Sequence, residues 1–249
     1  MTIQLIALSG FLGLPHDWNF LNLQELIAID WQDFEWDSLT DWAKQFNKKV
    51  TDNQHLFPSL KKNIIMGYSL GGRLALHALI NSPQLWQGAI IISAHPGLQT
   101  QQEKDKRLLR DHVWAKYFLQ RPWSELMENW NKQSVFKYDQ CVLNRPEKYY
   151  KRETLVKALL NGSLGKQENL RSSISNLPMP ILWVTGSYDT CYCQIADSLL
   201  FSNPLSCALQ VEKAGHRAPW CNKKAFSKLI NRALLNFGDT YTQQSIYTK

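Results

Sequence analysis

Ser69 lies in Gly67-Tyr68-Ser69-Leu70-Gly71-Gly72, a G-x-S-x-G pattern between the apolar run Asn63–Gly67 and an Ala/Leu-rich stretch that begins at Arg73. A strand that turns sharply into a helix at a serine needs small neighbours, because side chains at Gly67 or Gly71 would collide with the turn. The turn presents the hydroxyl at the positive end of the helix, where a developing anion is stabilised. A serine hydroxyl becomes a useful base or nucleophile only when an imidazole takes its proton, and the imidazole needs a carboxylate to orient it. Around such a turn the chain order is Ser, then Asp or Glu, then His. Asp189 closes the run from Pro180 through Gly186-Ser187-Tyr188, and His216 follows Leu209-Gln210-Val211-Glu212-Lys213-Ala214-Gly215. His77 lies inside the helix after Ser69, and His16, His55 and His112 follow no late strand. Two backbone N–H groups should face the developing anion: that of Leu70, and one from Ser9-Gly10-Phe11-Leu12-Gly13, with Phe11 the candidate.

The elements that must position these groups show in the hydropathy pattern. Short apolar runs alternate with longer helical stretches, as in a parallel sheet with crossover helices. The expected strands are Ile3–Leu8, Leu26–Asp30, Asn63–Gly67, Gly88–Ser93, Pro180–Thr185 and Ala208–Glu212. Ile64-Ile65-Met66 and Ile90-Ile91-Ile92 read as strands buried on both faces. A helix is expected from Ser38 to about Val50. A last helix should run from about Lys223 to Asn236, with a frayed polar tail from Gly238. From about Gln99 to Ser175 the alternation stops, and Lys, Arg, Gln, Trp and Tyr recur with helical spacing. With no Gly/Ser linker at its borders, this stretch reads as an insertion into one domain spanning residues 1–249.

The 249 residues are 44% hydrophobic and 20% charged, which excludes a disordered chain, and no apolar run approaches membrane-spanning length. The formal net charge is +7, yet no Lys/Arg cluster carries interleaved aromatics, so nucleic-acid binding is not expected. Cys141, Cys191, Cys193, Cys207 and Cys221 are odd in number and irregularly spaced. They read as reduced thiols of a cytoplasmic protein without a metal site. Ile3–Leu14 has the length of a signal-peptide core, but without a basic start or cleavage site it reads better as a strand entering a loop.

The elbow, the order of the three polar residues and the strand pattern together predict an α/β-hydrolase fold: a mostly parallel sheet flanked by helices, with a helical cap inserted at about 99–175. Further stretches are more specific. The run Gly67 to Arg73, His95-Pro96-Gly97-Leu98-Gln99, the basic segment Lys104 to Arg110, Trp114, Phe118-Leu119, Trp130 and Val135-Phe136 resemble the 2-succinyl-6-hydroxy-2,4-cyclohexadiene-1-carboxylate synthases of menaquinone biosynthesis. Gly10-Phe11-Leu12-Gly13 and Asp17-Trp18 fit that family's opening loop, and the resemblance extends over nearly the whole chain.

The resemblance implies a lyase without a cofactor. It would eliminate pyruvate from a small cyclohexene polycarboxylate, on the way to menaquinone or phylloquinone. In that scheme Ser69, activated by His216 and oriented by Asp189, is the base, while Phe11 and Leu70 stabilise the oxyanion. Arg73 and Arg107 correspond to substrate-binding arginines, Arg152 or its neighbour Lys151 to a third, and Tyr68 and Trp130 to aromatics lining the pocket. Arg73 lies four residues after Ser69, so it shares a helix face with it, and a substrate with several carboxylates calls for guanidinium forks. Arg107 sits in a charge run that would otherwise be a solvated face. Two loops depart from the family pattern: Ser9-Gly10 stands where His-Gly is usual, and Asp30-Trp31-Gln32-Asp33-Phe34 replaces Asp-x-Pro-Gly-His-Gly. The competing reading is an ester or thioester hydrolase with Ser69 as nucleophile.

Overall fold

Ile90-Ile91-Ile92 and Leu182-Trp183-Val184 are too apolar to leave one face wet. The computed structural model, which describes residues 3–53, 57–58 and 61–238, buries both runs inside a six-stranded sheet. The strands are β1 (Ile3–Leu8), β2 (Leu26–Ile29), β3 (Lys62–Tyr68), β4 (Gly88–Ile92), β5 (Ile181–Gly186) and β6 (Cys207–Val211). They lie in the order β2-β1-β3-β4-β5-β6, and every neighbouring pair is parallel.

Successive side chains of a strand face opposite ways, and here each set finds its own core. Leu5, Ala7, Ile64, Met66, Ile90 and Ile92 pack with Trp18, Trp220 and Phe226. Ile6, Leu8, Ile65, Ile91 and Trp183 pack on the other side, with α1 (Leu39–Asp52) and α2 (Leu70–Asn81). Ser38 caps α1 by accepting the Asp41 N–H at 3.0 Å.

The winding explains where a site can form. The chain begins at β1, moves out to β2, then crosses back over β1 to β3 and continues the other way. Loops leaving the carboxyl ends of β1 and β3 therefore part in opposite directions, and the crevice between them is where open α/β sheets bind ligands. Leu8 pairs with Gly67 at this end, so the Ser9–Gly13 turn and Ser69 emerge side by side.

Between β4 and β5 run α3 (Gln101–Gln120), α4 (Trp123–Asn131), α5 (Arg152–Asn161) and α6 (Arg171–Ser175), with no strand among them. Thr100 and Glu103 form a reciprocal capping box at the start of α3. Phe118, Leu126 and Leu155 bury their side chains in the same core as α2. After β5 come α7 (Thr190–Asp197), α8 (Ala218–Cys221) and α9 (Lys223–Gly238). None of the described helices is long and apolar enough to cross a membrane.

Several details differ from the sequence reading. β2 stops at Ile29 because the Asp30 carboxylate accepts the Gln32 N–H at 3.0 Å and starts a 3-10 turn, Trp31–Asp33. A second 3-10 segment, Pro15–Leu21, was not legible in the pattern. The apolar stretch Ile3–Leu8, by contrast, is a strand as expected, paired with β2 on one side and β3 on the other. The thiol reading needs correction: Cys141 and Cys221, 80 residues apart, form a disulfide, while Cys191 and Cys193 are free thiols. The expected frayed tail lies beyond Gly238, outside the described residues.

Candidate active site

Ser69 adopts φ 51° and ψ −110°, a left-handed conformation that serine rarely takes. The close packing of the turn enforces it. A Cβ on Gly67 would sit 2.3 Å from the Gly71 carbonyl oxygen, and one on Gly71 would sit 2.4 Å from that of Leu8. Ser69 N–H donates to Ile92 O at 2.9 Å, which ties the turn to β4.

His216 lies on the turn after β6, and Asp189 precedes α7 after β5. His216 Nδ1 is 2.8 Å from Asp189 Oδ2, and His216 Nε2 is 3.3 Å from Ser69 Oγ. The carboxylate accepts the hydrogen bond from Nδ1–H, which leaves the Nε2 lone pair facing the hydroxyl. Both partners are buried. The imidazole is enclosed by Tyr192, Tyr68 and Phe136, with ring centroids at 4.6, 5.6 and 5.8 Å. The spacing to Ser69 is slightly long for a proton relay, as is common before a substrate tightens the site.

Phe11 and Leu70 line the same cavity as Ser69. Leu70 is the first residue of α2 and has no acceptor within the helix, and no described backbone group accepts from Phe11. The Phe11 turn is held by Gly10 O, which accepts from Gly13 N–H at 2.8 Å and from Trp31 Nε1–H at 3.2 Å. Trp31 thus joins the two loops that depart from the family pattern. In the first of them, Ser9 Oγ accepts from Trp18 Nε1–H and donates to Leu14 O.

A cavity opens from Ser69 toward α3 and is lined by Arg73, Arg107, Arg110, Trp114, Trp130 and Tyr192 among others. Arg73 is 7% exposed. Its guanidinium donates to Gln167 Oε1 at 3.2 Å and to the Gly162 carbonyl, both neutral. Burial, and then the charge of Arg107, push its pKa down to about 9. Arg107 is better balanced, with Nε 2.9 and 2.8 Å from the two oxygens of Asp111. That carboxylate also accepts from Ser163. The outer nitrogens of Arg107 remain for the cavity. Trp130 packs on Phe11 at 4.9 Å and on Trp114 at 4.8 Å between ring centroids.

On the other side of Ser69 a second recess is lined by Tyr68, Trp220, Arg145 and Arg217. Its cations are already engaged. Arg145 forks onto Asp17 at 2.9 and 2.7 Å, and Arg217 donates to Asn131 Oδ1 and Cys141 O. The first cavity is therefore the one short of negative charge.

The structure brings Ser69, Asp189, His216, Phe11, Leu70, Arg73, Arg107 and Trp130 together, with Tyr68 in the adjoining recess. It does not bring Arg152 there. Arg152 Nε pairs with Glu147, and its Nη1 donates to Phe118 O and Arg121 O at the end of α3, both at 2.8 Å. Its neighbour Lys151 is an exposed residue preceding α5 and does not line the cavity. Arg110, His95 and Tyr192 line the cavity without having been given a role. The spacing of Arg110, three residues after Arg107 and so on one helix face, could have revealed it.

A sequence model of the serine aminopeptidase S33 family matches residues 30–211. The 2-succinyl-6-hydroxy-2,4-cyclohexadiene-1-carboxylate synthase of Pectobacterium atrosepticum is 28% identical over 92% of this chain and 93% of its own. The synthase of Yersinia pseudotuberculosis is also 28% identical, over 91% and 85%. Among solved structures, MenH from S. aureus shares the fold with a TM-score of 0.79 and 21% identity over 96% of each chain.

Proposed function

The chain belongs to the serine aminopeptidase S33 family of α/β-hydrolases, and we propose that within it the protein is a lyase. It eliminates pyruvate from 2-succinyl-5-enolpyruvyl-6-hydroxy-3-cyclohexene-1-carboxylate to give 2-succinyl-6-hydroxy-2,4-cyclohexadiene-1-carboxylate. The product serves menaquinone or phylloquinone synthesis, and no cofactor is required. The observation that carries the reading is Arg73, a buried guanidinium beside Ser69 whose hydrogen-bond partners among the described residues are neutral. A buried cation in this state is poorly compensated until an anion arrives, and the substrate has several carboxylates. The names of the curated relatives support the same activity.

The residues then divide the work. His216 draws the proton from Ser69 Oγ, and the oxygen removes the proton from the ring carbon bearing the succinyl ketone. Charge moves onto the ketone oxygen, where the N–H groups of Phe11 and Leu70 hold it. As the enolate collapses, electrons pass through the ring alkene and the bond to the enolpyruvyl oxygen breaks. The imidazolium, stabilised by Asp189, returns its proton to the departing enolate, which leaves as pyruvate. Arg73 and Arg107 bind carboxylates, and Trp130 and Tyr68 bound the ring.

The same triad geometry serves acyl transfer, so ester or thioester hydrolysis with Ser69 as nucleophile is the second reading. Cytoplasmic placement belongs to the main proposal, and thiol reductants in that compartment act against the Cys141–Cys221 bond. The experiment supplies the cyclohexene substrate and, separately, short acyl esters. Pyruvate release far more efficient than ester cleavage supports the lyase. Efficient ester turnover without pyruvate would select the hydrolase.

A further inference from the structure

The wall of the cavity formed by the ends of β4 and β5 carries polar groups that the elimination does not use. Tyr192 stands on the first turn of α7, with its ring 4.6 Å from that of His216 and inclined at 62°. Tyr192 lines the cavity with Arg73 and Arg107, and its hydroxyl has no hydrogen-bond partner among the described residues. Burial raises the phenol to about 12, although Arg107 and Arg73 pull it down, so it remains an O–H donor at neutral pH. Next to it is His95, ring to ring at 6.3 Å and 88°.

The tautomer of His95 follows from its surroundings. Gly97 N–H donates to Nδ1 at 3.1 Å, so Nδ1 carries no proton. Burial, and then Arg171, Arg73 and Arg107, hold the imidazole at about 4, so the ring is neutral and its single proton is on Nε2. No described residue accepts from Nε2, and His95 lines the cavity. Ser93 Oγ is wholly buried, lines the same space and has no partner among the described residues. Buried donors without acceptors are costly, and this wall presents several to a cavity whose other side is cationic.

We infer that Tyr192 O–H and His95 Nε2–H form a neutral-donor subsite that completes the hydrogen bonding of the substrate carboxylate gripped by Arg73 and Arg107. A carboxylate offers about four lone-pair positions, more than guanidiniums approaching from one side can fill. The cations attract any anion. The two neutral donors, fixed by ring packing and by the Gly97 N–H, select a carboxylate in one orientation and reject arms that lack it. The subsite rests on the polycarboxylate reading above and extends it to the recognition of one arm.

The test uses Tyr192→Phe, which removes one oxygen and keeps the ring against His216, and His95→Asn, whose side-chain oxygen can still accept the Gly97 N–H. Pyruvate release gives kcat and KM. Calorimetry gives the Kd of 4-oxo-4-phenylbutanoate, a ring-bearing keto acid. With melting temperatures unchanged, each variant should raise KM and Kd by about tenfold or more while kcat stays within about threefold. Unchanged KM and Kd would overturn the subsite. So would a fall in kcat at constant KM, which would make Tyr192 a positioning residue for His216. Wild-type protein that binds the keto acid yet releases no pyruvate would overturn the lyase reading alone, and the variants' Kd values would still decide the subsite.

Discussion

The guanidinium of Arg73 is held by the side-chain oxygen of Gln167, 3.2 Å away, where a protein interested only in stability would place a carboxylate. Gln167 in turn donates to His95 O, so the amide's orientation is fixed and the arginine is aimed without being neutralised. Such an arrangement reserves the positive charge for a ligand and leaves the empty site under electrostatic tension.

Replacing Arg73 by Met keeps most of the volume and removes the charge. Loss of charge-assisted bonds to a carboxylate should lower kcat/KM for the polycarboxylate substrate by about ten- to a hundredfold or more. The melting temperature should hold or rise, because an uncompensated buried cation is gone. Lys at this position keeps the charge without the fork and should recover only part of the activity. Full activity in the Met variant would sink this account of the cavity.

Ser69 pays for its placement with a left-handed backbone. Ser69→Ala and Ser69→Gly should both reduce turnover by about 10²–10⁴-fold, since each removes the group that exchanges protons with His216. They should differ in stability. Glycine accepts φ 51° freely while alanine does not, so the Gly variant should be more stable than the Ala variant by about 1–3 kcal/mol. Denaturant unfolding of the pair measures the gap, and equal midpoints would argue against strain at the turn.

Arg152 gives a contrasting outcome. Its bonds to Phe118 O and Arg121 O satisfy carbonyls at the end of α3. Arg152→Ala should therefore cost about 1–2 kcal/mol of stability and leave KM within about twofold. A large rise in KM would return Arg152 to the binding site.

What the sequence revealed and what it hid divide along physical lines. β4 and β5 were legible because a strand covered on both faces must be apolar throughout. Ser69 and Asp189 were legible because each follows such a strand, His216 because it follows the late strand β6 and a glycine, and Gly67 and Gly71 mark a turn too tight for side chains. Arg152 was misread because nothing local reveals that a guanidinium caps a helix about thirty residues away. His95 stood inside a motif already singled out, but its role depends on which ring nitrogen Gly97 occupies, and that is a three-dimensional fact. Cys141 and Cys221 could not be paired by spacing, since the contact is made by the return of the chain from α4 to α8.

The Cys141–Cys221 bond closes a loop of 80 residues containing β5 and β6. Cys221→Ser should destabilise the oxidised protein by about 2–4 kcal/mol, on the loop-closure account of cross-linking. Thiol reductant should produce a loss of similar size in the wild type and none in the variant. Alkylation followed by mass measurement checks the pairing directly: two thiols should become reactive only after reduction.

Acid should expose two histidines held neutral by the fold. His77 is held at about 4 by burial and then by Arg73. Its Nδ1 is 3.1 Å from Thr40 Oγ1, and its Nε2 is buried without a partner among the described residues. His95 is also held at about 4. Both values lie below the 6.5 of an unfolded histidine, so between about pH 6.5 and 4 the unfolded chain binds more protons than the folded one. Stability from these groups is present above 6.5 and is lost as the pH falls through that window. The melting temperature of the wild type should decline accordingly, and that of His95→Asn should decline less. The difference between the two, variant minus wild type, should grow steadily from pH 6.5 to 4. Parallel curves would mean that His95 is already free to take a proton in the folded protein, and its Nε2–H would no longer be a fixed neutral donor.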